Sequence, residues 1–140
     1  MSKHAEFRFY SIPELKKKEI LKTLGKELER DSNIVFAYVH GGFLERNVFR
    51  DVDVAVWIKN FKEALNYEVR FSVFFELKLK IPVDIHVLNE APLPFKYNVF
   101  TKGKLLFSRN EKLRLNVVNN VVRQYIDLLL LRKYANAIKH

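Results

Sequence analysis

The stretch VHGGFLERNVFRDVDVAVWI, residues 39–58, decides how the rest of the chain is read. An apolar run ends in Gly41-Gly42, and a second apolar run opens on two aspartates one residue apart. NIVFAYVH, residues 33–40, is rich in β-branched and aromatic residues and stops at the glycines, which predicts a buried strand entering a tight loop. DVDVAVWI, residues 51–58, alternates and predicts a second strand, with Asp51 and Asp53 projecting to one side while Val52 and Val54 face the core. Acidic side chains in such a strand are costly to desolvate without a compensating charge. A divalent cation that leaves coordination positions open for phosphate oxygens is the compensation this pattern suggests.

On the N-terminal side, Ser11 and Glu14 around Pro13 have the spacing of a capping box. Ile20, Leu21, Leu24 and Leu28 then recur at helical intervals, predicting a helix over 12–30. On the C-terminal side, residues 61–80 read as an amphipathic helix with Phe61, Ala64, Leu65, Phe71, Phe74, Phe75 and Leu79 available for a core face. Pro82 forces a break before the strand-like VDIHVL, residues 83–88. APLP at 91–94 marks a turn, a short helix follows to about 101 with Gly103 as its C-terminal cap, and KLLFS makes another strand. From about residue 110, Leu113, Val117, Val121, Tyr125 and Leu128 or Leu129 step along one long terminal helix. Helices interleaved with four strands in this order give an α+β fold with a small mixed β-sheet. No repeat, low-complexity segment or linker interrupts it, so a single domain over 1–140 is expected.

Composition narrows the chemistry. With no cysteine there is neither a disulfide framework nor a thiolate metal site, which leaves Asp, Glu and His as side-chain ligands and favours a hard ion such as Mg²⁺. No apolar run approaches the roughly 18 residues that span a bilayer, and the start MSKHAEFRFYS lacks the apolar centre of a signal peptide, so a cytoplasmic protein with no membrane partner is expected. The formal charge of +9 implies attraction to polyanions: a nucleoside triphosphate, RNA or an acidic protein. The positive residues are dispersed, as in KKKE at 16–19 and LKLK at 77–80, and read as solvated helix faces. With no recognition-helix or RNA-stacking signature, direct nucleic-acid binding is not expected.

A third carboxylate, Asp84, lies in VDIHVL and can join Asp51 and Asp53 from a neighbouring strand. Three acids on adjacent strands make a site for metal-assisted phosphoryl or nucleotidyl transfer, two holding the ion and the third also able to take a proton from the attacking hydroxyl. Gly41 and Gly42, lacking side chains, let backbone N–H groups approach phosphate oxygens. Arg46 and Arg50 lie in the loop where triphosphate charge would rest. His86 shares the face of Asp84 and His40 precedes the glycines; either could touch substrate or metal, or satisfy a local hydrogen bond. Tyr125 and LLLLRKY, residues 128–134, read as packing residues of the last helix, with any exposed part becoming a partner surface.

With these residues in place, the chain resembles the nucleotidyltransferase superfamily, most closely the minimal nucleotidyltransferase (MNT) domains that act as antitoxins to HEPN toxins. The family pattern is a strand ending in Gly-Ser, a loop of about ten residues, an Asp-x-Asp strand, and a third Asp after a helix. Here it appears as GGFLERNVFRDVD with VDIHVLNEAPLPFKYNVFTKGKLLFS downstream. The resemblance implies a nucleotidyltransferase-like α+β fold with a long C-terminal helix. It also implies transfer of AMP from ATP to a tyrosine hydroxyl of a HEPN ribonuclease toxin, which silences the toxin in a hetero-oligomer. By the same resemblance Gly41 and Gly42 hold phosphates, Asp51 and Asp53 coordinate Mg²⁺, and Asp84 completes the acidic triad. The chain departs from the pattern twice: the serine is Gly42, and the loop to Asp51 has eight residues, FLERNVFR. These departures keep two alternatives open, an antitoxin that neutralises by binding alone and a nucleotidyltransferase for small molecules or nucleic acid.

Overall fold

The computed structural model describes residues 8–138; most of the polar start discussed above lies outside the described residues. In chain order the elements are β1 (Tyr10–Ser11), α1 (Glu14–Glu29), β2 (Ile34–His40), α2 (Gly42–Glu45), β3 (Val48–Phe49) and β4 (Val52–Ile58). A 3₁₀ turn (Phe61–Glu63) then leads into α3 (Ala64–Leu79), β5 (Val83–Val87), α4 (Leu93–Lys102), β6 (Lys104–Ser108) and α5 (Glu111–Ile138). The main sheet has the order β5-β4-β2-β6. Strands β4 and β5 are parallel, whereas β2 runs antiparallel to both β4 and β6, so the sheet is mixed as the pattern implied. A parallel pair needs a crossover, and α3 supplies it.

Alternation along the strands sorts the core into two layers. Ala37, Val39, Val52, Val54, Val56 and Ile85 point to one face, where Leu24 and Leu28 of α1 and Phe75 of α3 cover them. Phe36, Tyr38 and Ala55 point to the other, against Val99 of α4 and the half-buried Phe100, Leu113 and Val117. Burying such a side chain fully is worth roughly 1.5–3 kcal/mol, which is why a one-residue slip of β4 is excluded. Gly103 closes α4 with its N–H on Val99 O, in an extended rather than left-handed conformation. What demands glycine there is proximity, since a Cβ would fall against the carbonyl oxygens of Val99 and Val39.

Several local expectations are corrected. Ser11 does not cap α1: it pairs with Val48 in a two-stranded β1–β3 ribbon, and Pro13 stands at the cap position with no side-chain bond. In α3 the core stripe is Tyr67, Phe71, Phe75 and Leu79, while Leu65 is 73% exposed and Phe61 and Phe74 are also exposed. A single helix lying against the edge strand β5 needs only this narrow stripe. The inner part of α5 packs through Leu113, Val117 and Tyr125, the last stacked on Tyr97 at 4.1 Å. Leu129, Leu130, Leu131, Tyr134 and Ile138 are exposed, because α5 has 28 residues and α4, its packing partner, only 10. No described helix is long and apolar enough to cross a membrane.

The segment between Gly42 and Asp51 is built rather than irregular. Phe43 and Phe49 are buried edge to face at 4.9 Å. Lys17 of α1 reaches beneath them, with Nζ donating to Phe43 O at 2.8 Å and Arg46 O at 2.9 Å. At 7% exposure Lys17 is no solvated lysine, which corrects the reading of KKKE at that position. It occupies the apolar stripe of α1, in step with Ile20, Leu24 and Leu28.

Candidate functional site

Strand register brings the acids together. Asp53 of β4 pairs with Asp84 of β5 on one side and with His40 of β2 on the other, so the three side chains form a row across one face of the sheet. This is the face that α4 and α5 cover further along, and the row lies at its open end, where β2 finishes and β4 and β5 begin. Two residue pairs further along, on the same face, His86 aligns with Ala55, and its Nε2 lies 3.2 Å from Asp84 Oδ2. One oxygen from Asp53, one from Asp84 and one imidazole nitrogen from His86 lie within 4.8 Å of one another. Asp51 precedes β4 and stands outside that trio, although its charge is felt by Asp53.

Burial, followed by repulsion from Asp51 and Asp84, pushes the Asp53 carboxyl up to about 6. His86 offsets this only in part, and a cation among these donors would offset it further. The donor set fits a divalent ion that accepts oxygen and tolerates one imidazole. At the end of the row, desolvation and the neighbouring His86 push His40 down to about 4. His40 Nε2 is buried with no hydrogen-bond partner among the described residues, and Phe95 of α4 meets the rings of His40 and His86 edge-on at 5.4 and 5.3 Å. Phe95 carried no signal in the sequence, because it belongs to the site only through the packing of α4 on β2. Lys17 could have been found there, as a lysine in step with an apolar stripe.

The glycines differ in their reasons. Gly41 adopts φ 80°, and a Cβ on it would come within 2.6 Å of Asp53 Oδ2. Backbone conformation and the acid beside it both demand glycine. At Gly42 a Cβ would meet only ordinary contacts, with Arg46 Cδ at 3.8 Å and Phe49 Cβ at 3.9 Å. Gly42, Arg46, Arg50 and Asp51 line an open cavity of about 360 Å³ together with Phe9, Val48 and Phe49. Two guanidinium-bearing side chains there suit a phosphate chain.

Residues 22–112 match the family described as Polymerase beta, Nucleotidyltransferase. No curated protein gives a match. Among solved structures, the chain is similar to one in the complex of tri-AMPylated Shewanella oneidensis HEPN toxin with MNT antitoxin. The TM-score is 0.69 at 17% identity, covering 86% of this chain and 96% of that one. A chain of the toxin-antitoxin MntA-HepT gives 0.66 at 18% identity over 85% and 96% of the two chains. A chain of a toxin-antitoxin with AMP-PNP gives 0.64 at 18% over 89% and 97%. At these identities the likeness is one of fold.

Proposed function

The chain belongs to the polymerase beta nucleotidyltransferase family, and from that membership we propose that it is a Mg²⁺-dependent protein adenylyltransferase, the antitoxin of a HEPN-domain toxin. It moves AMP from ATP to a tyrosine hydroxyl of that toxin. The observation that carries the reading is the alignment of Asp53 with Asp84 beside a cavity lined by Gly42, Arg46 and Arg50. The solved complex of tri-AMPylated HEPN toxin with MNT antitoxin, and that of a toxin-antitoxin with AMP-PNP, support the choice of nucleotide and partner.

In this reading Asp51, Asp53 and Asp84 would hold Mg²⁺, with Asp51 joining from outside the Asp53, Asp84 and His86 cluster, and the bound ion would supply Lewis-acid stabilisation of phosphate charge. Gly41 and Gly42 let the backbone approach the phosphates, and Arg46 and Arg50 pair with the β- and γ-phosphates that leave as pyrophosphate. Asp84, exposed at the outer edge of the row, accepts the proton of the incoming hydroxyl. Label transfer tests it: [α-³²P]ATP should mark the toxin and [γ-³²P]ATP should not. Label from the γ-position would mean phosphoryl transfer instead.

A second reading, neutralisation by binding alone, is favoured by the exposed Leu129, Leu130, Leu131 and Tyr134 at the end of α5. It predicts stable complex formation and toxin inhibition without ATP, unchanged by Asp53→Asn.

A further inference from the structure

A second cavity, of about 430 Å³, is lined by His86 and Val87, further along β5 than Asp84, whereas the cavity of Gly42, Arg46 and Arg50 is lined by Asp51, before β4 begins. Its walls include Phe61, His86, Pro92 and Phe95, and its carboxylates are Glu68 and Glu90. Parallel register fixes its place: along β4 and β5 the order is Asp51, then Asp53 with Asp84, then Ala55 with His86, then Val56 with Val87. The arginine-lined cavity adjoins the first of these levels and the aromatic cavity the last two. We propose that the aromatic, carboxylate-bearing cavity is the acceptor seat, taking a tyrosine side chain presented by a basic segment of the partner protein.

The inference rests on the adenylyltransferase reading and adds the acceptor's place and flanking chemistry. In nucleotidyl transfer the attacking and leaving oxygens lie roughly in line through the phosphorus. With pyrophosphate leaving toward Arg46 and Arg50, the nucleophile enters from the side of Asp84 and His86. The tyrosine oxygen forms a bond to the α-phosphorus of ATP while the bond from that phosphorus to the bridging oxygen breaks. The phenolic proton passes to Asp84, and pyrophosphate carries away the electron pair. Aromatic walls favour a phenol over a serine or threonine hydroxyl through edge and face contacts. Phe95 already presents its edge or face to His86 in this way.

Charge selects the flanking residues. The chain as a whole carries +9, so a basic partner is repelled at long range and needs a local acidic landing. Glu90 is exposed at the rim, and Glu68 is held in place by accepting the Val87 N–H at 2.9 Å. The exposed Leu65, Val69 and Val73 of α3 continue from Glu68 along the adjoining groove beside Asp84, giving an apolar shelf for the rest of the segment.

The test is two-dimensional NMR of the full chain titrated with the blocked peptide Lys-Arg-Tyr-Arg-Lys, its Glu-flanked counterpart and adenosine. The expected result is selective shifts at Phe61, Glu90 and Phe95 with the basic peptide, and a roughly fivefold weaker Kd in Glu90→Lys and in Phe61→Ala, both at exposed positions. Equal binding of the acidic peptide, shifts confined to other surfaces, or displacement of the peptide by adenosine would overturn the assignment. Seating of the peptide with no AMP on a HEPN-domain acceptor would support the seat and count against the adenylyltransferase reading.

Discussion

Gly41 and Asp53 are in such close approach that a single added methyl on the glycine would come within 2.6 Å of the carboxylate oxygen Oδ2. The glycine loop and Asp53 are therefore one mechanical unit. Gly41→Ala should destabilise the fold by about 1–3 kcal/mol, since φ 80° suits glycine. It should also weaken Mn²⁺ binding, read by calorimetry, about tenfold or more, because Asp53 must turn away. Unchanged metal affinity would separate the loop from the acid.

Gly42 offers the opposite case, because a side chain fits there. Gly42→Ser restores the hydroxyl of the resembled pattern. A hydrogen bond from it to phosphate, if made in the transition state, is worth roughly 1.5–3 kcal/mol, so AMP transfer should quicken about tenfold or more with stability unchanged. A rate equal to the parent's would mean that the loop has dispensed with this contact.

Lys17 holds the loop from below through two carbonyl oxygens. Lys17→Met keeps the stem and removes both bonds, leaving Phe43 O and Arg46 O without this donor. A loss of about 2–3 kcal/mol in chemical denaturation is expected, with a higher KM for ATP as Arg46 loosens. Lys16→Met, on an exposed neighbour, should do neither.

Asp53 and His40 titrate in overlapping windows with opposite consequences for the metal-free protein. Asp53 is raised to about 6, so its stability contribution is present below the unfolded value near 3.8 and is lost as pH rises through 6. His40 is lowered to about 4, so its contribution is present above the unfolded value of 6.5 and is lost as pH falls through 4. The two slopes oppose between pH 4 and 6. Relative to the parent, Asp53→Asn should make stability rise more steeply with pH across that range, and His40→Asn should make it fall. Thermal melts at half-unit intervals check the signs.

The strands, the helices and the acid positions were legible because period-2 and period-3.6 patterns and an unusual DxD are local signals. The seat of Asp84 opposite Asp53 was legible only in outline, since register depends on which strands pair. Phe95, Lys17 and the β1–β3 ribbon were not foreseen. Each acquires its role from an element distant in sequence: α4 over the histidines, α1 under the loop, Ser11 against Val48. The expected core role of Leu65 failed for a related reason, because how much of α3 is covered depends on α3 lying at the sheet's edge.

The measurement that tests most directly whether the Asp53–Asp84 pair carries AMP transfer is the intact mass of a HEPN-domain toxin after incubation with this chain, ATP and Mg²⁺. An Asp53→Asn sample, with its fold checked by circular dichroism, runs in parallel. Mass increments of one or more AMP units with the parent, and none with Asp53→Asn, are the predicted result. An unmodified toxin held in a stable complex, or equal modification by both proteins, would contradict it.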